Sequence, residues 1–128
     1  MQIRLRKTGE REPSSIIEGV TFVEIFPDHI EYQADAPGTS GDIEINTGRF
    51  YANNDKYDFC TIQPNFEFIL RGNDSKISLT LKGFIWLSIF TDRIEYQTAG
   101  DAMNVNTLAI DDGHFNFGKK KYDSITMS

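Results

Sequence analysis

Residues 25–33 read Ile-Phe-Pro-Asp-His-Ile-Glu-Tyr-Gln, and residues 89–97 read Ile-Phe-Thr-Asp-Arg-Ile-Glu-Tyr-Gln. Seven of the nine positions are identical, 64 residues apart in a chain of 128. The register extends outward from this anchor. Leu5-Arg6 matches Leu70-Arg71, Ser14 matches Ser78 and Gly19 matches Gly83. Past the anchor one inserted residue shifts the offset. Then Gly48 and Phe50 match Gly113 and Phe115, Lys56-Tyr57-Asp58 matches Lys121-Tyr122-Asp123, and Thr61 matches Thr126. The chain therefore reads as a tandem duplication dividing near Pro64, with repeats at 1–64 and 65–128. Two copies are too few for a solenoid, which takes about three or more, so a fused pseudo-two-fold pair is expected. A lone unit of about 64 residues buries too little surface to be more than marginal. The copies are expected to share a core.

The matched segments are strand-like. Gly19 to Phe26 and Gly83 to Phe90 are β-branched and aromatic and are bounded by turn signals. Their apolar residues fall on both parities, which predicts strands covered on both faces. Trp86 matches Phe22, so core packing is its expected role. In the next strand Ile30 and Tyr32 alternate with Glu31 and Gln33, as Ile94 and Tyr96 do with Glu95 and Gln97. Asp28 and Asp92 fall in the connection before it, where a carboxylate can bond the backbone downstream. Asn46-Thr47-Gly48 and Asp111-Asp112-Gly113 between apolar runs predict tight hairpins. First strands are expected at Gln2 to Arg6 and Glu67 to Arg71. Short ones at Ser14 to Ile17 and Ile77 to Leu81 are expected to run on into the central strand. Last strands are expected at Tyr57 to Ile62 and Tyr122 to Met127. No segment keeps helical spacing over ten residues. The expected fold is all-β: two tandem antiparallel repeats packed with pseudo-two-fold symmetry as a sandwich or barrel pair. The stretches Ala34 to Gly41 and Thr98 to Asn104 differ while the strands around them match, and any function particular to one copy is expected there.

Composition narrows the classes. Cys60 is the single cysteine, so there is no disulfide framework, and its partner Ile125 marks an apolar inward position. Met1 to Lys7 lacks the apolar core of a signal peptide, and no apolar run reaches the ~18 residues of a membrane span. A cytoplasmic protein is expected, and the glycosylation-type triplet Asn73-Asp74-Ser75 then reads as a turn. The net charge is −6. Residues 1–64 hold 6 basic and 11 acidic side chains, a net −5; residues 65–128 hold 7 and 8, a net −1. That balance argues against generic phosphate-backbone binding. Lys119-Lys120-Lys121 matches the polar stretch Asn54-Asp55-Lys56 and reads as a solvated loop.

The candidate chemistry is thin. Asp111, Asp112 and His114 lie close in sequence, but a hairpin tip accounts for them without a metal. His29 and His114 are each matched by arginine, at 93 and 49, which fits exposed polar positions better than catalysis. No Gly-x-Ser-x-Gly elbow or phosphate-binding glycine loop is present. Glu31, Gln33, Glu95 and Gln97 are common to both copies and form the candidate binding set, either as a solvated strand face or as groups meeting across the pseudo-axis. Tyr57 and Tyr122 join them as candidates. The expectation is a non-catalytic binding or assembly module, of the kind a phage or mobile element encodes, acting through contacts with another protein. The alternative is a small-ligand or carbohydrate binder with one site per repeat. Neither reading calls for a cofactor, a metal, nucleic acid or a membrane, and a homo-oligomer is compatible with both.

Overall fold

Ile3 and Leu5 are fully buried between half-buried Gln2, Arg4 and Arg6, the period-two pattern of a strand with one face on a core. The pattern recurs along the chain, and the computed structural model is all-β. It describes residues 1–35, 40–52, 54–63, 68–72, 78–111, 113–117 and 120–127. The Pro64 junction, the Asn73-Asp74-Ser75 triplet, Ile77, Asp112, Lys119 and residues 36–39 lie outside the described residues. The strands are β1 (Gln2–Arg6), β2 (Ser15–Ile17), β3 (Val20–Ile25), β4 (His29–Ala34), β5 (Gly41–Asn46), β6 (Arg49–Ala52), β7 (Asp55–Tyr57) and β8 (Phe59–Gln63). They continue as β9 (Phe68–Arg71), β10 (Ser78–Leu81), β11 (Phe84–Ile89), β12 (Arg93–Thr98), β13 (Asp101–Asp111), β14 (His114–Phe117), β15 (Lys120–Tyr122) and β16 (Ser124–Met127).

These form two antiparallel sheets of eight strands. The first runs β15-β14-β13-β12-β11-β8-β1-β2, and the second β10-β9-β16-β3-β4-β5-β6-β7. Each sheet contains strands from both sides of residue 64. The seam of the first is β8 against β11, with Ile62 opposite Leu87, Thr61 opposite Ser88 and Cys60 opposite Ile89. The seam of the second is β16 against β3, with Ile125 opposite Ile25 and Thr126 opposite Glu24. The inner row of the first sheet reads Leu5, Cys60, Ile89, Ile94, Leu108. That of the second reads Leu70, Ile125, Ile25, Ile30, Ile43. All ten are 0% exposed and belong to one buried cluster with Phe50 and Phe115.

The chain passes between sheets where a single continuous strand was expected. β2 and β3 lie in different sheets, and the break falls at Gly19, which takes φ +68. β10 and β11 break likewise at Gly83, φ +76. Both conformations are cheap only without a Cβ. The expected last strands are each two: β7 and β8 part at Asp58, β15 and β16 at Asp123. The Asp58 amide donates to the Arg6 carbonyl at 3.0 Å and the Asp123 amide to the Arg71 carbonyl at 2.7 Å. Buried Tyr57 and Cys60 stand three residues apart, a spacing that a straight strand cannot place on one face.

Three further expectations are corrected. β3 is buried on one face: Val23 and Ile25 are inside, while Phe22 and Glu24 are half-buried outside. Trp86 is also half-buried on an outer face, where its indole Nε1 donates to Gln97 Oε1 at 2.7 Å. Its apolar body covers the sheet while the polar edge finds a neighbour, so it is not core. Thr98 to Asn104 is no long loop, because Thr98 pairs with Asp101 and only Ala99 and Gly100 connect β12 to β13. The hairpin at Thr47-Gly48 is as expected, a two-residue connection with positive φ at both positions, +50 and +77.

Because β8 pairs with β11 and β16 with β3, either half alone loses both of these ladders and leaves the edges they cover open. Polypeptides 1–63 and 68–127, made separately, are expected to lack cooperative strand circular dichroism, which an equimolar mixture recovers. Cooperative melting of either fragment alone counts against the interleaved arrangement.

Candidate functional site

The outer face of the first sheet over the β8–β11 seam carries the most chemically pointed feature of the molecule. Arg4 and Arg6 are two residues apart on β1 and so project to the same side. Arg6 stands opposite Phe59, and Arg4 opposite Thr61, which in turn faces Ser88. These residues, with Phe90 and the loop residues Arg11, Glu12 and Pro13, line a cleft of about 360 Å³. That volume falls within the ~300–1,000 Å³ of ligand sites.

Local bonding fixes its rim. The Arg6 guanidinium lies 4.3 Å from the centre of the Phe59 ring and donates from Nη1 to the Glu10 carbonyl at 2.7 Å. The Thr8 amide donates to Asp58 Oδ2, and Lys7 Nζ to Asp55 Oδ2, each at 2.8 Å. These bonds tie the 7–14 loop to the turn between β7 and β8. The Thr8 hydrogen bonds hold the Asp58 carboxyl below its ordinary range, and the Lys7 hydrogen bond does the same for Asp55. Phe59 and Phe90 meet edge to face at 6.1 Å, and the Arg93 guanidinium covers Phe90 at 4.1 Å. Arg4 donates from Nε to Gln2 Oε1 at 3.1 Å. Among the described residues no carboxylate forms an ion pair with Arg4, Arg6 or Arg11. Glu12 is the one acid among the described lining residues.

The second sheet differs at the corresponding places. Its outer row reads Ile69, Thr126, Glu24, Glu31, Asp42, where the first reads Arg4, Thr61, Ser88, Glu95, Thr107. Thr126 is buried, and Arg71 Nε donates to its hydroxyl at 3.2 Å. Ser124 stands opposite Arg71 where the cleft has Phe59 opposite Arg6. Glu24, Glu31 and Asp42 stand side by side on adjacent strands where the first sheet has Ser88, Glu95 and Thr107, an arrangement that repels itself.

The candidates read from sequence fall elsewhere and are not brought together. Glu31 and Gln33 are exposed on the outer face of the second sheet, beside Phe22 and Asp42 in a depression of about 340 Å³. Glu95 and Gln97 are half-buried on the outer face of the first, Glu95 accepting from Arg93 Nε at 3.0 Å and Gln97 from Trp86. The two sets sit on different sheets and do not meet. Tyr57 and Tyr122 are buried at the sheet edges, on β7 and β15. His114 Nε2 lies 3.4 Å from Asp123 Oδ1 and Arg49 Nε 3.8 Å from Asp58 Oδ1. Among the described residues no group of three His, Cys, Asp or Glu is placed to hold a metal ion. Among the described residues no helix is long and apolar enough to cross a membrane.

His29 and Arg93 prove to be matched clamps rather than loose surface groups. His29 stacks on Phe26 at 4.4 Å and lies 2.7 Å from Asp28 Oδ1 and 3.2 Å from Glu31 Oε1. Arg93 does the same with Phe90, Asp92 and Glu95. Asp28 and Asp92 thus spend their carboxylates on the neighbouring cation. Cys60 lies beneath the cleft floor, fully buried, and desolvation pushes its thiol up to about 12.

Reasoning from sequence missed the cleft. Its signal was present: Arg4 and Phe59 face Ile69 and Ser124 in the repeat alignment, departures located in strands rather than in loops. Comparison of the chain with protein-family profiles, characterised proteins and solved structures finds no match in any of the three.

Desolvation pulls the His29 pKa down, but the bonds to Asp28 and Glu31 outweigh it, leaving the value above 6.5. The stabilisation from the charged ring is complete below pH 6.5 and is lost as the pH rises through the folded value. An NMR titration is expected to place the His29 midpoint above 6.5 and to move it down in Glu31→Gln; an unmoved midpoint counts against the clamp. Cys60 is expected to react with a disulfide reagent only as fast as the chain unfolds, and fast labelling of the native protein contradicts its burial.

Proposed function

We propose that this chain is a non-catalytic binding module that docks an anionic segment of a partner protein in the Arg4–Arg6–Arg11 cleft. One observation carries the reading: in a chain of net charge −6, three arginines gather around two phenylalanines, and none is in an ion pair among the described residues. Gathering like charges costs stability unless an anion is the intended neighbour. Aromatic and arginine side chains are also the types enriched where proteins bind one another. The net negative charge favours selectivity, since an acidic molecule repels polyanions on average while this patch attracts them.

The architecture behind the module is, on the same proposal, a duplicated β unit interleaved with its copy. Adding eight to the strand numbers turns β3–β7 of the second sheet into β11–β15 of the first, and β1, β2 and β8 of the first into β9, β10 and β16 of the second. The matched registers support this reading: Val23 opposite Tyr32 and Ile25 opposite Ile30 correspond to Leu87 opposite Tyr96 and Ile89 opposite Ile94. Duplication with divergence explains why one outer face is acidic and the other carries the cleft.

A second reading, carbohydrate binding, is favoured by the depression that groups Phe22 with Glu31, Gln33 and Asp42. Its counterpart is occupied from within by the Trp86–Gln97 and Arg93–Glu95 bonds, so this reading now leads to one sugar site rather than two.

Selection of a displayed random-peptide library on the immobilised protein is expected to enrich acidic sequences. Their binding should weaken with salt and disappear in the double variant R4E/R6E. Enrichment of neutral peptides indifferent to the charge reversal overturns the proposal, and retention of glycans instead supports the second reading.

A further inference from the structure

Resting on that reading of the cleft, we propose that the anion it selects is a phosphate monoester dianion carried on an aromatic ring, the chemistry of a phosphorylated tyrosine side chain. Three guanidinium groups against the single Glu12 carboxylate leave a local surplus of two positive charges. A phosphate monoester at neutral pH carries about −1.5 to −2, whereas a carboxylate carries one negative charge. The donors are also of the right kind. Arg4 spends only Nε, on Gln2, and Arg6 only Nη1, on the Glu10 carbonyl. The remaining N–H groups of each planar fork match pairs of phosphate oxygens, a geometry that a lysine ammonium lacks.

The floor supplies neutral donors. Thr61 and Ser88 stand directly opposite each other across the seam, both half-buried on the outer face and both lining the cleft in the row that Arg4 extends. The wall supplies the apolar part. Phe59 and Phe90, edge to face at 6.1 Å, leave ring surface along the cleft against which a ligand ring packs. A bare phosphate uses the arginines and hydroxyls alone; an aryl phosphate uses the wall as well. The second sheet has Ile69, Glu24 and Ser124 where the cleft has Arg4, Ser88 and Phe59, so among the described residues the corresponding face lacks these groups.

Calorimetry or NMR titration of the intact protein with inorganic phosphate, phenyl phosphate, benzoate and adenosine monophosphate tests this. The expected order is phenyl phosphate first, then inorganic phosphate, with benzoate weakest and a stoichiometry of one. Affinity for phenyl phosphate should fall as pH drops below the phosphate pKa of about 6. R4K and R6K keep the charge but lose the fork, and each is expected to weaken phenyl phosphate about tenfold. F59L is expected to bring phenyl phosphate down to the level of inorganic phosphate, with an unchanged melting curve showing that the fold is intact. Benzoate binding as tightly as phenyl phosphate overturns the phosphate assignment while leaving an anion-docking cleft. Tighter binding of adenosine monophosphate overturns the assignment to a protein side chain. No binding of any of these anions, together with no acidic peptides selected, removes both readings.

Discussion

The β8–β11 ladder is the contact on which the remainder depends. It joins a strand before residue 64 to a strand after it, and with its counterpart β16–β3 it turns shorter stretches into two sheets of eight. The pairs that make it are also core: Ile62, Leu87, Cys60 and Ile89 are all fully buried. Burying a large aliphatic side chain contributes roughly 1.5–3 kcal/mol, so the seam is an adhesive interface as well as a hydrogen-bonded one. On its outer side the same ladder aligns Thr61 with Ser88 and brings the arginines of β1 alongside Phe90. The cleft exists because the sheets are interleaved. A chain in which each half formed its own sheet would not bring these residues together.

Inner and outer faces obey different constraints. The inner rows of the two sheets are apolar throughout, since an interior at crystal-like density tolerates little else. The outer rows keep only their shape. Where one sheet has Glu24, Glu31 and Asp42 side by side, the other has Ser88, Glu95 and Thr107. Three of the acidic side chains of residues 1–64, Glu24, Glu31 and Asp42, thus share one outer face, while Arg4 and Arg6 share the other.

Much of the fold was legible in the sequence. Period-two alternation identified β4 and β12, and the Thr47-Gly48 hairpin followed from glycine chemistry. Burial of Cys60 followed from its alignment with Ile125. Sheet membership was not legible, because it depends on a bend at one residue. Gly19, Asp58, Gly83 and Asp123 were visible as residues, but their consequence needs the hydrogen-bond partner on a distant strand. The outward placement of Phe22 and Trp86 was misread for a related reason: a large ring covering an outer face gives the same sequence signal as a core aromatic. The cleft was missed because identity between the matched segments drew attention to Glu31 and Gln33, while the cleft is lined at Arg4 and Phe59, where the aligned residues differ.

Strand β3 has one further consequence, which concerns time. Ile25 finds its partner in Ile125, and until residues 124–127 have left the ribosome the hydrogen-bonding edge of β3 stays open. An unfilled edge of this kind accepts a strand from any neighbouring chain that offers the same sequence. Crowded polysomes would therefore yield exchanged dimers, in which the β16 of one molecule completes the sheet of another, and slow translation through the intervening segment would increase their share.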